Sequence, residues 1–115
     1  MDTHRISYFL AVCDELHFTR AARRCGISQP SLSSAIRALE AEIGGRLFHR
    51  KPNPRLSELG KSVQPHLRRA LAEIELALAA AASAAARSGA RAAPAPYRPF
   101  RHRVEDSRNA SESRA

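Results

Sequence analysis

Residues 27–40 read ISQPSLSSAIRALE, and their spacing sets the fold. Ser28 followed by Pro30 is a helix start: the hydroxyl can take up a free backbone N–H, and proline belongs in the first turn, where no N–H is needed. Leu32, Ile36, Leu39 and Ile43 recur at steps of four, three and four, drawing one buried stripe along a helix that Gly44-Gly45 ends. At about 100° per residue the opposite side holds Pro30, Ser34 and Arg37, with Ser31 and Ser33 flanking it. Serine is a mediocre helix former. Solvation explains any one of these serines, but the set leaves the helix slender on one side, with a long basic side chain a turn later. Small hydroxyls of this kind let a backbone approach a DNA major groove closely while still bonding bases or phosphates.

The flanking sequence supplies the frame. Upstream, Ile6, Phe9, Leu10, Cys13 and Leu16 mark the inward face of a first helix. Ala21, Ala22 and Cys25 do the same for a short second helix, with Thr19 as the expected N-cap and Gly26 as the stop. Downstream, residues 46–57, RLFHRKPNPRLS, read as a strand at Leu47-Phe48, a turn at Lys51-Pro52-Asn53-Pro54 and a return strand at Arg55-Leu56-Ser57. Each proline removes a ladder donor, so the ribbon is brief.

Ser57 is placed to cap a long helix from Glu58 to Arg87. Val63, Leu67, Leu71, Ile74, Leu78, Ala81 and Ala85 recur along it at coiled-coil spacing. Such a rod would be about 45 Å long, project beyond the small domain and leave its apolar seam for a partner helix. Pro65 is expected to bend it or to shift its start. From residue 88 to residue 115 the composition turns to Ala, Pro, Ser and Arg without periodicity, which is the signature of disorder. Six arginines against three acids in that tail add nonspecific attraction to polyanions. Three segments result: a DNA-binding domain over 1–57, a linker and dimerisation helix over 58–87, and a disordered basic tail over 88–115.

The 115 residues carry a formal net charge of +8, with an isoelectric point near 11.0. That balance points to a polyanionic partner, nucleic acid ahead of an anionic membrane. Lys51 and Lys61 are the only lysines, and the arginine fork that replaces them elsewhere suits phosphate and guanine. Cys13 and Cys25 lack any CxxC spacing and read as small buried hydrophobes rather than a disulfide. The five histidines show no metal-ligand spacing, and Glu40 and Glu42 face different sides of a helix. With no nucleophile–base arrangement and no glycine-rich phosphate loop, neither an enzyme nor a cofactor is expected. The apolar tract from Ala77 to Ala86 is too short and too rich in alanine to span a membrane, and no signal peptide opens the chain. A cytoplasmic location, at the bacterial nucleoid when bound to DNA, is therefore expected.

Residues 17–50, HFTRAARRCGISQPSLSSAIRALEAEIGGRLFHR, resemble the N-terminal winged helix-turn-helix domain of LysR-type transcriptional regulators. Phe18, Ala21-Ala22, Ser28-Gln29-Pro30, Ser33, Ile36, Leu39-Glu40, Gly44, Leu47-Phe48 and Arg50 carry the resemblance, and Leu56-Ser57 and Gly60 extend it into the linker helix. It covers about residues 1–87. It implies a third helix in the major groove, a wing on the adjacent backbone or minor groove, and a linker helix that pairs two chains. Carried over by position, Gln29, Pro30, Ser33, Ser34 and Arg37 face the bases. Thr19, Arg20, Ser31, Arg50, Lys51 and Arg55 serve phosphates or the minor groove. Ser34 departs from the arginine or lysine often found in the family. For Arg20, Arg23 and Arg24, solvated charge and phosphate contact stay equally open. Glu40 is expected to be a structural partner, to a basic residue of the wing.

Members of the family normally continue into a two-lobed effector-binding domain. The sequence after Arg87 shows no alternating strand and helix pattern that would begin one, so no small-molecule effector site is expected in this chain. An engineered fragment, a natural short form and a disrupted reading frame all fit. The expectation is thus a mainly α winged helix-turn-helix, three helices plus a short two-stranded β wing, followed by a long dimerisation helix. Its partners are double-stranded DNA and a second copy of itself, or three more in a tetramer. One alternative is an interaction protein whose linker helix pairs with a full-length regulator. Another is a basic architectural protein that coats nucleic acid without preference.

Overall fold

Each helix starts on a side-chain cap, and the caps fix where the elements lie. The computed structural model describes residues 1–89, so the tail beyond Gly89 lies outside the described residues. The elements are α1 (Thr3–Glu15), α2 (Phe18–Cys25), α3 (Gln29–Ile43), β1 (Phe48–His49), β2 (Arg55–Leu56) and α4 (Glu58–Ser88). This is the expected winged helix-turn-helix followed by a long helix. Asp2, Ser28 and Ser57 accept backbone N–H groups of Arg5, Ser31 and Gly60 at 2.8, 3.2 and 2.9 Å. The cap of α2 differs from expectation. It is His17, whose Nδ1 accepts the Arg20 N–H at 3.1 Å, while Thr19 lies inside the helix. Starting two residues earlier places Phe18, with its buried ring, at the first position of the helix.

The helix ends also depart once from the spacing. Gly26 and Gly44 take left-handed backbone angles, φ 73° and 104°, as a glycine stop does. Leu16 does the same at φ 49° to end α1. It is 43% exposed, not on the inward face to which its spacing assigned it. Ser7, Ala11 and Val12 are the further residues that α1 buries.

Leu32, Ile36 and Leu39 are fully buried, and Ile43 packs at the margin of the same core. Three phenylalanines from separate elements meet inside it. The Phe48 ring stands 5.5 Å from that of Phe9 and 5.9 Å from that of Phe18, both tilted contacts of the favourable kind. Cys13 and Cys25 form no disulfide and are half-buried against this core. In the wing, β1 and β2 run antiparallel with Phe48 opposite Leu56 and His49 opposite Arg55. β1 lies one residue later than the expected Leu47-Phe48, and β2 keeps the expected Arg55 and Leu56 without Ser57. Ser57 leaves the ladder because its hydroxyl caps α4 and donates to the Arg46 carbonyl at 2.6 Å, while its N–H donates to the Leu47 carbonyl at 2.9 Å.

Gly60 brings α4 against the wing. A Cβ at that position would land on the Leu47 carbonyl oxygen and stand 2.8 Å from a Leu56 methyl, so only glycine allows this approach. The helix starts at Glu58 and continues through Pro65 without a shifted start.

The seam of α4 is the main correction. Val63 and Leu67 pack against the domain's own core, and Leu71 is only 4% exposed. Of the first three residues expected to meet a partner chain, Leu71 is thus covered by this chain and Val63 and Leu67 are half-covered, because α4 lies along α1. One ionic contact ties α4 to α1, and three more tie α1 to α2. Asp14 pairs with Arg68 at 3.0 Å and with Arg24 at 3.1 Å, while Glu15 pairs with Arg24 at 3.1 Å and with Arg20 at 3.6 Å. Packing therefore continues past the expected boundary at residue 57. Beyond Leu71, Ile74 is half-buried, Leu78 is 39% exposed and Ala81 is exposed. No helix among the described residues is long and apolar enough to cross a membrane.

Candidate nucleic-acid interface

The side of α3 opposite the core presents Pro30, Ser34 and Arg37, all exposed, and Gln29 is exposed at the first position of the helix. Ser31 is exposed beside them, whereas Ser33 is half-buried. At the N-terminus of α3 the hydroxyls are ordered by one another. Ser28 accepts the Ser31 N–H and donates its own hydrogen to Ser31 Oγ at 2.9 Å. Ser31 keeps its own hydroxyl hydrogen for a further acceptor such as a phosphate oxygen.

A shallow open concavity of about 420 Å³ joins this helix start to the start of α2 and to the wing. His17, Phe18, Thr19, Gln29, Arg50, Asn53 and Pro54 line it. Two contacts shape its wall. Thr19 Oγ1 donates to Gln29 Oε1 at 3.0 Å. The Arg50 guanidinium lies over the Phe18 ring, 4.5 Å from its centroid, where the ring face attracts the cation and holds the side chain across the concavity. In the wing turn, Arg55 Nη1 donates to the Lys51 carbonyl at 3.0 Å, leaving the Lys51 ammonium exposed.

The structure brings Thr19, Gln29 and Arg50 together and sets Lys51 and Arg55 beside them on the wing. It separates Arg20, which turns to Glu15 on α1. Of the two arginines left open, Arg24 is bound between Asp14 and Glu15, and Arg23 is exposed. Glu40 is structural as expected, but its partner is a backbone group. Its Oε2 accepts the Leu47 N–H at 2.7 Å. His17, Asn53 and Pro54 were not among the expected site residues. The only sequence signals for them are a polar residue ahead of Phe18 and the Pro-Asn-Pro turn.

Carboxylates neutralise some of the cations and leave others, Arg23, Arg46, Arg69 and Arg87 among them, without an ion pair among the described residues. Arg5 pairs with Asp2 and Glu42, and Arg20, Arg24, Arg68 and Lys61 all have carboxylate partners. The Met1 ammonium and Arg5 hold the Glu42 carboxyl below its ordinary range. Arg37, Arg50, Lys51 and Arg55 have no ion pair among the described residues. Cations without carboxylates, exposed hydroxyls and a helix N-terminus form a donor surface with little to repel an anion.

Comparison with known proteins agrees with this geometry. Residues 3–61 match the bacterial regulatory helix-turn-helix protein, lysR family. The HTH-type transcriptional regulator IlvR of Caulobacter vibrioides is 46% identical over 76 residues, 65% of this chain and 26% of that protein. AlsR of Bacillus subtilis is 43% identical over 75 residues, 64% of this chain and 25% of that protein. The chain therefore spans about a quarter of the length of these curated relatives. Among solved structures, the BenM DNA-binding domain in complex with catB site 1 DNA superposes with a TM-score of 0.70 at 29% identity, covering 74% of this chain and 97% of that one. A full-length OxyR variant from Pseudomonas aeruginosa gives 0.69 at 32% identity, covering 72% and 28%.

Proposed function

The chain belongs to the bacterial regulatory helix-turn-helix proteins of the lysR family, and from that premise we propose that it binds double-stranded DNA sequence-specifically as a homodimer. α3 enters the major groove, and the wing lies on the adjacent backbone or minor groove. The observation that carries this reading is the group of cations without carboxylate partners on α3 and the wing, beside the hydroxyls of the α3 start. Carboxylates neutralise Arg20, Arg24 and Arg68 where α1, α2 and α4 meet, and none pairs with Arg37, Arg50, Lys51 or Arg55. The BenM DNA-binding domain, similar over 74% of this chain, is solved on DNA.

In this reading Gln29, Pro30, Ser34 and Arg37 face base edges, with Ser33 behind them as a small residue that permits close approach. Ser31, Arg50, Lys51 and Arg55 hold phosphates, which set register but carry no sequence information. Pairing uses what the domain leaves of the α4 seam, namely Ile74, Leu78 and Ala81. The protein acts on transcription at the bacterial nucleoid, in the cytoplasm.

Selection of bound duplexes from a random pool, using the 115-residue chain, tests this. Two inverted half-sites are expected, with centres about 34–36 Å apart or a multiple of that distance. Affinity should also fall steeply with salt, because each neutralised phosphate releases counterions. A bound pool no different from the input would overturn sequence-specific recognition in favour of binding by net charge alone.

A further inference from the structure

We propose that Thr19 is a positioning residue that fixes the polarity of Gln29, so that the base position Gln29 reads rejects cytosine. The inference rests on the reading above, in which Gln29 faces base edges.

A carboxamide carries an acceptor and a donor on the same carbon. Free to rotate, it can present either end to a base and discriminates poorly. Gln29 is not free. Its Oε1 accepts the Thr19 hydroxyl at 3.0 Å, which turns the oxygen towards α2 and leaves the NH₂ group for an outside partner. Both ends of this bond stand on fixed supports. Thr19 is β-branched, with few χ1 choices. It lies in the first turn of α2, a turn held by the His17 cap and the buried Phe18 ring. Gln29 is the first residue of α3, whose start is held by Ser28. Gly26 and Ile27 connect the end of α2 to the start of α3, and their N–H groups return to the Arg23 and Ala22 carbonyls at 3.2 and 3.1 Å. The Thr19–Gln29 bond therefore spans two rigid pieces and not a floppy loop.

An amide donor reads acceptors. In the major groove guanine offers O6 and N7, adenine N7 and thymine O4, whereas cytosine offers only its N4 amino donors. Guanine, with two adjacent acceptors, fits best, and cytosine meets donor against donor. The same bond takes the Thr19 hydrogen away from a phosphate, so Thr19 acts through Gln29 and not on the DNA backbone.

The experiment repeats the duplex selection with Gln29→Ala, Thr19→Val and Thr19→Ser, followed by titrations on single-base variants of the best site. Gln29→Ala locates the base position. There the unaltered protein should disfavour cytosine roughly tenfold. Thr19→Val keeps the shape and removes the hydroxyl. It should erase most of that penalty at that position alone and leave the salt dependence unchanged, while Thr19→Ser restores the penalty. Unchanged circular dichroism shows that the variants fold. The proposal is overturned if Thr19→Val leaves the cytosine penalty intact. It is also overturned if that variant weakens all duplexes alike and lowers the salt slope by about one, as loss of a phosphate contact would. Selection of cytosine at that position would mean that the amide presents its oxygen, and would overturn it too. If the unaltered protein enriches no sequence at all, the underlying DNA-reading assignment fails first and visibly, before any Thr19 variant is compared.

Discussion

Glu40 and Leu47 are tied across the end of α3, the carboxylate of one accepting the backbone N–H of the other at 2.7 Å. Between them Gly44 and Gly45 turn the chain, and both of their N–H groups return to the Glu40 carbonyl. One residue thus closes the reading helix and aims the strand that follows. Glu40→Ala strands an inward-facing N–H and should cost about 1–3 kcal/mol. Glu40→Gln keeps an acceptor and should cost less. Urea midpoints at unchanged slope would check both.

The approach of α4 to the wing depends on a missing Cβ. Gly60→Ala pushes a methyl into the Leu47 carbonyl, which is backbone and cannot rotate away. A loss of about 1–3 kcal/mol or more is expected, read as a lower melting temperature. Alanine is the better helix former at an open position, so a gain in stability would show that the contact is not as described.

Leu71 and Leu78 should behave differently although they share a seam. Leu71 is 4% exposed inside its own domain, so Leu71→Glu buries an unpaired charge and should destabilise the fold by about 3–5 kcal/mol. Leu78 is 39% exposed, so Leu78→Glu should leave the domain folded and weaken association. Sedimentation and thermal unfolding of the two variants would separate these outcomes.

Two cations of the donor surface should also part company. Arg37→Ala is expected to relax preference at one base pair, by about 1–3 kcal/mol. Lys51→Ala should weaken binding to all sequences alike and reduce the salt slope by about one. Titrations at several salt concentrations against the selected site and a scrambled duplex would distinguish them.

The Cys13 thiol is pushed up to about 12, chiefly by burial, with Asp14 adding to the shift and Arg68 opposing it. The folded state therefore favours the neutral thiol over the thiolate. Its contribution to stability is complete below the ordinary value of 9.0 and is lost as pH climbs towards 12. Between pH 8 and pH 10.5 the unfolding midpoint should fall more for the unaltered protein than for Cys13→Ala. The thiol should also resist alkylation at pH 8 until the chain is denatured.

What the sequence discloses follows from periodicity and turn chemistry. Leu32, Ile36 and Leu39 were legible because a helix of 3.6 residues per turn leaves no other place for them. The wing was legible because Pro52, Asn53 and Pro54 admit little but a turn. Leu16 was not, because a left-handed leucine leaves no mark in a repeat of apolar residues. His17 as a cap was hidden for a related reason, since an imidazole nitrogen is an uncommon stand-in for a hydroxyl. The seam of Val63, Leu67 and Leu71 shows that spacing can say a face is buried without saying against what. Within the candidate site, residue types were readable, but their couplings, Thr19 to Gln29 and Arg50 to Phe18, join separate elements and appear only in three dimensions.

The covered half of α4 has a mechanical consequence. Because Val63, Leu67 and Leu71 pack on the domain's core and Arg68 pairs with Asp14 of α1, the domain cannot pivot independently of this helix. The part beyond Leu71 extends to Ser88, a lever of roughly 25 Å at 1.5 Å per residue. A tilt of about 10° at its root moves its tip by about 4 Å, more than the ~3.4 Å between successive base pairs. In the proposed DNA-bound arrangement, small angles at a clamped far end are geared into displacements of α3 as large as a base-pair step.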